Sequence, residues 1–282
     1  MLATTAKSEN PGAARGHARL VVEVVGGQST VTGAYSVEPL KILVPKPRGQ
    51  SAWACAGSFG GGLVAGDRTR LDVKLGPGAV CFISSQASTK IYRNPLHRPC
   101  SHETRAVIES GGILVFAPDA IQPFADSIYS QRQEFHLADG AGLVLLDWFG
   151  SGRAARGERW QCSRLHCRNE AFMAGQRVFL DSILLDQSGG PPSSPMRAGR
   201  FNCFAMLLLL GKPFGPMSTR LVANVSARPI ERNLSLLSAA SSLPHGAVLR
   251  VAGEEVEAVA REVRGHLALL ADILGEDPWR RK

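Results

Sequence analysis

Residues 59–84 read FGGGLVAGDRTRLDVKLGPGAVCFIS, a glycine-rich turn that leads into two short apolar segments. From Arg70 to Leu75 charged and apolar residues alternate, which is the period of a strand with one buried face. The strand predicted from Arg68 to Leu75 stops at the turn residues Gly76-Pro77-Gly78. A second strand, predicted from Ala79 to Ser84, follows at once. The stretch therefore predicts a chain that is built from short strands.

Two nucleotide-binding motifs come close to the glycine-rich turn, and neither fits. Gly61 and Gly66 have the spacing that opens the phosphate loop G-x-x-x-x-G-K-[ST]. Asp67 then stands where that loop needs its lysine, and a carboxylate there would repel a triphosphate. Residues 60–65, GGGLVA, also fit a loose G-x-G-x-x-A, but a strand follows them where a dinucleotide site needs a helix. The glycines are therefore predicted to form a tight turn before Asp67.

The segment from Arg19 to Asp186 continues the pattern of short strands. Predicted strands cover Leu20–Val25, Gly112–Phe116 and Gly142–Trp148, and each ends close to a glycine or a proline. Turn signals that recur at this pitch predict an all-β body. We see no sequence repeat of fixed period, so a propeller or a regular solenoid receives little support.

Composition changes at residues 187–199, QSGGPPSSPMRAG, which predict a loop. Beyond this loop, Phe204–Leu210 is a continuous apolar run, the pattern of a strand that is buried on both faces. A helix is predicted from Pro216 to about Ala227, and further strands over Leu234–Leu237 and Ala247–Val251.

A second helix is predicted close to the C-terminus. Apolar residues recur at helical spacing from Val256 to Leu274, and Gly275 offers a C-cap. Three glutamates between residues 254 and 257 are expected in the first turn, where the helix dipole favours anions.

These patterns predict a fold that is mainly β, with a smaller C-terminal α/β portion and few helices. Residues 1–15 are predicted to be a flexible tail and residues 16–282 a single domain. Within this domain we expect a β-rich body at 16–186, the loop at 187–199 and the α/β portion at 200–275.

Composition limits the class of protein. The chain has 282 residues, 44% of them hydrophobic, and its mean hydropathy of −0.01 is typical of a globular protein. The longest apolar run, Phe204–Leu210, is too short to span a membrane, and residues 1–15 lack the apolar region of a secretory signal. Six cysteines without an export signal are expected to stay reduced, so we predict a cytoplasmic protein.

The chain is basic, with a net charge of +8 and a pI near 9.5. The basic residues are scattered, and only 6% of the residues are aromatic, whereas RNA-binding modules interleave aromatic with basic side chains. We therefore expect an acidic protein partner rather than nucleic acid.

Candidate metal ligands and catalytic groups are few. Residues 162–167, CSRLHC, hold Cys162, His166 and Cys167, and on a strand the first two would share one face. A structural zinc site would need a second pair of ligands, so an ordinary buried or edge strand is the alternative. The motifs G-x-S-x-G and H-E-x-x-H are absent, and no nucleophile stands beside a base. This favours a scaffold or a binding protein over an enzyme.

Two acids interrupt apolar strands. Asp147 follows the apolar residues 143–146, and Asp181 follows the apolar residues 178–180. An ionised carboxylate in such a place must be hydrogen-bonded, paired or exposed to a water-filled cavity. An ion pair with an arginine and contact with such a cavity remain open alternatives.

Four linked blocks of sequence carry a resemblance to a known family. They are GGLVAGD at 61–67, ASTKIYR at 87–93, PDAIQPF at 118–124 and LDWFGSGRAARGE at 146–158. In order and approximate spacing they resemble the urease accessory proteins of the UreD (UreH) family, over about residues 60–186. The resemblance implies a β-rich body whose strands are helically wound, with a few helices.

The resemblance also implies a role in urease maturation. Members of the family bind the accessory protein UreF, which recruits the GTPase UreG, and the assembly passes Ni²⁺ into apo-urease on GTP hydrolysis. For this chain it implies a heterocomplex with UreF, UreG and apo-urease, of which a dimer of heterotrimers is one arrangement. It implies no catalytic residues, no nucleic-acid or membrane partner, and no tightly bound cofactor, with Ni²⁺ present only in transit.

In this family the nickel ion is thought to travel through a water-filled internal tunnel. Local matching places tunnel-lining positions on Asp67, Thr89, Asp147 and Asp181, the last by spacing alone. Carboxylates, hydroxyls and water release nickel readily, whereas thiolates favour zinc or copper(I). The resemblance thus implies that the glycine turn puts Asp67 at the mouth or wall of the passage.

Two other functions stay open from the sequence. One is a β-rich enzyme that acts on an anionic small molecule, with Lys90, Arg93 and Arg153 as clamps. The other is a basic RNA-binding β-domain, whose affinity would fall steeply with salt.

Overall fold

In the part of the chain that the structure describes, the fold consists mainly of β-strands, together with three α-helices. A computed structural model describes residues 16–46, 49–231 and 233–279, so the flexible tail predicted for 1–15 lies outside the described residues. The strands are β1 His17–Val25, β2 Gln28–Ser36, β3 Leu40–Leu43, β4 Ala52–Ser58, β5 Gly62–Leu63, β6 Arg68–Leu75, β7 Val80–Ser85, β8 Lys90–Ile91, β9 Cys100–Ile108, β10 Ile113–Phe116, β11 Gln122–Pro123, β12 Ile128–Leu137, β13 Gly142–Gly150, β14 Gly152–Arg153, β15 Glu158–Arg159, β16 Arg164–Met173, β17 Gln176–Asp186, β18 Cys203–Leu210, β19 Leu236–Leu243 and β20 Gly246–Gly253. The helices are α1 Gly215–Ser226, α2 Val256–His266 and α3 Leu270–Leu274.

Most strands belong to two large sheets that face each other. The first sheet has seven strands in the order β17-β16-β12-β9-β6-β1-β2. The second sheet has eight strands in the order β19-β20-β18-β13-β10-β7-β4-β3, and β11-β8-β5 form a small third sheet. Leu71 and Phe135 of the first sheet pack with Leu114 and Leu143 of the second in one apolar interior.

The chain winds through these three sheets in successive turns. One turn consists of β4, β5 and β6, the next of β7, β8 and β9, and equivalent strands of consecutive turns pair in parallel. Ala52 pairs with Cys81, Val80 with Ile113, and Ile113 with Gly142, which gives turns of 29, 33 and 29 residues. The mainly β, helically wound body is therefore confirmed. Because the turns differ in length, the sequence shows no repeat of fixed period.

The two large sheets differ in how far their outer faces are exposed to solvent, and the sequences of their strands differ accordingly. In β6 buried and exposed side chains alternate because one face of the strand meets solvent. All nine residues of β13 are buried, because the helices cover the outer face of the second sheet. Leu221 of α1, Val259 of α2 and Leu270 of α3 pack there with Val144 and Leu207. Within the described residues, none of the helices is long and apolar enough to cross a membrane.

The strands after the loop extend the second sheet in antiparallel fashion beyond β13. The buried strand predicted at Phe204–Leu210 corresponds to β18, and the one predicted at Ala247–Val251 lies within β20. The strand predicted at Leu234–Leu237 overlaps only the start of β19. The rest of β19 consists largely of serine and alanine, which gave no apolar alternation in the sequence.

One predicted helix is confirmed and the other is wrong in its continuity. α1 lies within one residue of its predicted bounds. The helix predicted from Val256 to Leu274 is divided into α2 and α3. Gly265, a weak helix former, lies just before the break. Leu267 and Leu270, at the two sides of the break, and Leu274 are all fully buried against the second sheet.

The ends of this divided helix follow the predicted signals only in part. Gly275 ends α3 in the left-handed conformation, at φ 77°, and its N–H donates to Ala271 O, as a C-cap does. At the other end only Glu257 lies in the first turn. Glu254 still donates its N–H to Ser235 O, so the helix begins later than predicted.

Candidate functional site

Polar side chains cross the inner face of the first sheet in two neighbouring rows, in which paired residues come from adjacent strands. The first row is Thr69, His102, Gln131 and Cys167, and the second is Thr104, Gln133, Asn169 and Asp181. The next row, which includes Ala106, Phe135 and Ala171, is apolar and buried. We call the eight residues of the two polar rows the polar band.

The polar band follows from the period of the strands. Side chains two residues apart share a face. In β12, Gln131 and Gln133 therefore point into the same interior as Tyr129 and Phe135, and all four are buried. The amide of Gln133 donates to Asn169 Oδ1 at 2.9 Å. Bonds of this kind satisfy the buried polar groups of the band.

Asp147 of β13 meets the polar band from the opposite sheet. Its carboxylate is buried, with Oδ1 accepting from Gln131 Nε2 at 2.9 Å and Oδ2 from Asn169 Nδ2 at 2.7 Å. Both donors are neutral amides, so hydrogen bonds rather than an opposite charge hold this carboxylate. Burial raises the pKa of Asp147, and the nearby Asp181 adds to this, although the two hydrogen bonds lower it in part.

Two cavities border Asp147. The smaller, of about 80 Å³, is lined by Thr69, Thr89, His102, Gln131 and Asp147 among others, and it has room for water molecules. The larger, of about 390 Å³, lies between the sheets beside β17 and β19. It is lined by Asp147, Asp181, Arg250, Phe204, Ile230 and other mostly apolar residues. Ile230 is strongly exposed, so the larger cavity reaches the surface. Asp147 is thus a wall residue of both cavities.

The structure brings three of the four predicted site residues to these cavities. Thr89 lines the smaller cavity, Asp181 the larger and Asp147 both. Asp67 lines neither of the two. Its carboxylate accepts from the N–H of Val64 at 2.9 Å, and its own N–H donates to Val64 O at 3.1 Å. Asp67 therefore closes the turn that precedes β6.

The glycines before Asp67 have separate local roles. Gly66 has φ 89°, in the left-handed region that a turn requires and other residues seldom adopt. Gly62 is extended but lies against β8, where a Cβ atom would stand 2.2 Å from Lys90 O. The tight turn predicted from the sequence is confirmed, together with a close approach of two backbones.

Asp181 is paired with an arginine, one of the two alternatives that the sequence left open. Its buried carboxylate forms an ion pair with Arg250, whose side chain is half exposed. Asp181 belongs to β17 of the first sheet and Arg250 to β20 of the second. The pair therefore links the two sheets at the wall of the larger cavity.

The segment with Cys162, His166 and Cys167 does not gather three ligands. Cys162 lies before β16 and is buried, as is Cys167, whereas His166 is on the outer face, 3.3 Å from Ser182 Oγ. The expectation that Cys162 and His166 share a face is therefore wrong, because the strand starts only at residue 164. Across the described ranges, no three His, Cys, Asp or Glu residues are grouped to hold a metal ion.

The arginines considered as clamps for an anionic substrate have a carboxylate partner already. Arg93 pairs with Glu158 at 2.6 Å, and Arg153 pairs with the same carboxylate while it stacks on the ring of Phe124. The guanidinium of Arg153, with that of Arg93, lowers the pKa of Glu158 to about 2. This arrangement favours an internal ion-pair cluster over a substrate clamp.

Sequence reasoning missed most of the polar band, including His102, Gln131 and Asn169. The sequence did contain a signal. In β9, β12 and β16 these polar residues alternate with outward residues and so fall on the same face of the strand as its buried apolar residues. Polar residues at inward positions of consecutive strands predict a polar interior only if the strands are known to be neighbours. That pairing was not visible in the sequence.

Comparison with known proteins identifies the family. A family model described as UreD urease accessory protein matches residues 14–282. The urease accessory protein UreD of Sorangium cellulosum (strain So ce56) is 44% identical over 95% of this chain and 84% of the relative. That of Anaeromyxobacter sp. (strain Fw109-5) is 37% identical over 94% and 89%. Urease accessory protein D of Oryza sativa subsp. japonica is 32% identical over 95% of each chain. The chain therefore belongs to the UreD family of urease accessory proteins.

Proposed function

We propose that this protein is a urease maturation factor that binds apo-urease together with UreF and UreG and conducts Ni²⁺ through its interior. The observation that carries the proposal is Asp147, a buried carboxylate that borders both cavities in a member of the urease accessory family. Asp147 is the residue that the linings of the two cavities share, so we place the path between them beside this side chain.

The side chains along the proposed path are weak ligands. Thr89, Gln131 and Asp147 offer hydroxyl, amide and carboxylate oxygens, which hold nickel less firmly than thiolates hold zinc or copper(I). Cys167 is the one thiol of the polar band. It lines neither of the two cavities, so the ion does not meet this thiol on the proposed path.

The proposed order of passage is the smaller cavity, Asp147 and then the larger cavity. Asp67 is proposed to stand at the entrance, because it precedes Thr69 of the smaller cavity by two residues. At the other end the ion meets Asp181, whose carboxylate it would share with Arg250. Because the Arg250 side chain is half exposed, it has solvent to turn into when the ion arrives.

The partners follow from the family and from charge. A net charge of +8 supports association with acidic surfaces. We assign UreF, UreG and apo-urease to this role, in a cytoplasmic heterocomplex that contains residues 16–282 as one domain. In this proposal the chain is a chaperone without catalytic residues or a tightly bound cofactor, and nickel is its cargo.

The proposal is tested by co-expression with apo-urease, UreF and UreG. We expect Asp147→Ala to be recovered in the complex at the wild-type level, while the nickel content and activity of the urease fall by at least about tenfold. Asp139→Ala, which changes an exposed carboxylate in a surface turn, is the control and should leave nickel loading unchanged. Equal loading by wild type and Asp147→Ala would overturn the path. Failure of the wild-type complex to form would overturn the partners.

A further inference from the structure

We propose that His102 is a nickel ligand in the smaller cavity and the residue by which the path prefers Ni²⁺ to Mg²⁺. The inference rests on the proposed function, because it assigns a further residue and a selectivity to the same path.

His102 stands in the wall of the smaller cavity, close to the carboxylate that leads out of it. It pairs across the first sheet with Gln131, whose amide donates to Asp147 at 2.9 Å. All three side chains line the cavity, and His102 keeps part of its surface accessible. An ion at Asp147 is therefore separated from the imidazole by one side chain.

The hydrogen bonds of His102 determine which ring nitrogen carries the proton. Thr69 Oγ1 lies 2.8 Å from Nδ1 and 3.1 Å from Ser101 O. Both contacts are satisfied when the Thr69 hydroxyl donates to Ser101 O and accepts from Nδ1–H, and we assign the ring proton on this basis. Nε2 then carries a lone pair, which accepts from Thr104 Oγ1 at 3.1 Å.

The lone pair on Nε2 is available near neutral pH. Burial lowers the pKa of His102 to about 4, so the ring is uncharged. The neutral imidazole is the form that binds metals. A metal ion would replace a single hydrogen bond from Thr104, while Thr69 continues to orient the ring through Nδ1–H, as partners of metal-bound histidines do.

One nitrogen ligand is enough to discriminate between the two ions. Mg²⁺ prefers oxygen ligands and gives up its waters reluctantly. Ni²⁺ stands high in the affinity order of divalent metals and accepts imidazole well. A path lined only by hydroxyl, amide and carboxylate oxygens would admit both ions. His102 would favour nickel without adding the further ligands of a closed, tight site.

The ligand assignment is tested on the complex of this chain with UreF, loaded with Ni²⁺ and freed of excess metal. Nickel X-ray absorption detects the scattering of bound imidazole. We expect His102→Asn to lose one imidazole contribution, and His166→Asn, which changes a histidine on the outer face of the same sheet, to keep it. Full imidazole scattering in His102→Asn would overturn the assignment.

The selectivity is tested by nickel transfer to apo-urease at fixed Ni²⁺ and rising Mg²⁺, with GTP hydrolysis measured in the same samples. At high Mg²⁺ we expect His102→Asn to transfer at least about tenfold less nickel than wild type and His166→Asn. The same dependence on Mg²⁺ in all three complexes would refute the selectivity.

Thr104→Val tests the ligand without removing the ring. It deletes the hydroxyl that occupies Nε2, so we expect nickel occupancy to rise with imidazole scattering intact. Unchanged or lower occupancy would count against the ligand even if His102→Asn does not assemble.

Asp147→Asn separates the two proposals. If, at high Mg²⁺, Asp147→Asn blocks transfer and His102→Asn does not, only the ligand fails, whereas the path itself fails if neither variant matters.

Discussion

A carboxylate that is buried among neutral amides links the stability of this protein to pH. Burial raises the pKa of Asp147 by more than the bonds from Asn169 and Gln131 lower it. The folded chain therefore holds a proton at this site at pH values where the unfolded chain has released it. As the pH rises from the ordinary aspartate pKa through the raised one, ionisation of Asp147 costs the folded state stability.

We predict that Asp147→Asn is at least as stable as the wild type at neutral pH, although under the proposed function we expect it to impair nickel transfer. The asparagine has no charge to desolvate, and a neighbouring amide can rotate to offer its oxygen. Thermal unfolding of the complex with UreF between about pH 5 and pH 8 measures this, and the wild type should lose stability relative to the variant as the pH rises. A variant that is less stable by more than about 1 kcal/mol would show that the hydrogen bonds outweigh the charge.

How far single site residues could be predicted depends on their neighbours in the sequence. Asp147 and Asp181 stand out because each interrupts an apolar run. Gln131 and His102 do not, because polar residues also occupy the outward positions of their strands, and only the pairing of the strands separates the two faces. A band that is continuous across a sheet is a property of contacts rather than of any one segment.

At the level of elements, the glycine turn depends on one close approach of backbones. A Cβ atom on Gly62 would meet Lys90 O at 2.2 Å and a ring atom of Tyr92 at 2.8 Å. Gly60 is different, since its φ is 77° and nothing lies within 4 Å of the site of a Cβ atom. The two glycines are near neighbours in sequence, so they allow a matched comparison of crowding with backbone strain.

We predict that Gly62→Ala destabilises the protein by about 3 kcal/mol, because the backbone of β5 or β8 must move. Gly60→Ala should cost only about 1 kcal/mol, the price of a left-handed alanine. Denaturant unfolding of the two variants in the complex gives the difference. Equal costs would mean that β5 and β8 can separate freely.

The elements were predictable where their signal is local. The alternation and turn residues of β6, and the apolar run of β18, fixed those strands correctly. The break between α2 and α3 was not predictable, because apolar residues keep the helical spacing through it. The full length of β19 was not predictable either, because its serine and alanine residues carry no apolar alternation and pairing in the second sheet supplies the signal that they lack. The order of strands in the sheets was equally inaccessible, since most parallel pairs join residues about thirty positions apart and that of β1 and β6 joins residues still further apart.

At the scale of the whole molecule, the pair of Asp181 and Arg250 joins the two large sheets beside the larger cavity. Asp181 is almost fully buried, whereas the arginine is half exposed. Removing the arginine alone would leave a buried carboxylate without its counter-charge, which costs more than the pair itself contributes.

We predict that Arg250→Gln lowers the free energy of unfolding by about 1–3 kcal/mol, less than a fully buried pair would lose because solvent screens the arginine. The double variant Asp181→Asn/Arg250→Gln should recover most of that loss, since no buried charge remains. A double-mutant cycle from urea unfolding measures the coupling. Additive effects of the two substitutions would show that the pair does not link the sheets energetically.

The parallel winding of the body also has a consequence for its synthesis. Each turn finds its place only on the turn made before it, so the structure is laid down in sequence, and the newest strand presents bare N–H and C=O groups until the next one arrives. After the last parallel turns, the antiparallel β17 completes this side of the first sheet, and β18, β20 and β19 complete that of the second. While the ribosome is still translating this region, the unpaired edge strand can form hydrogen bonds with another chain and aggregate. A binding partner that covers this edge early would raise the yield of folded chain.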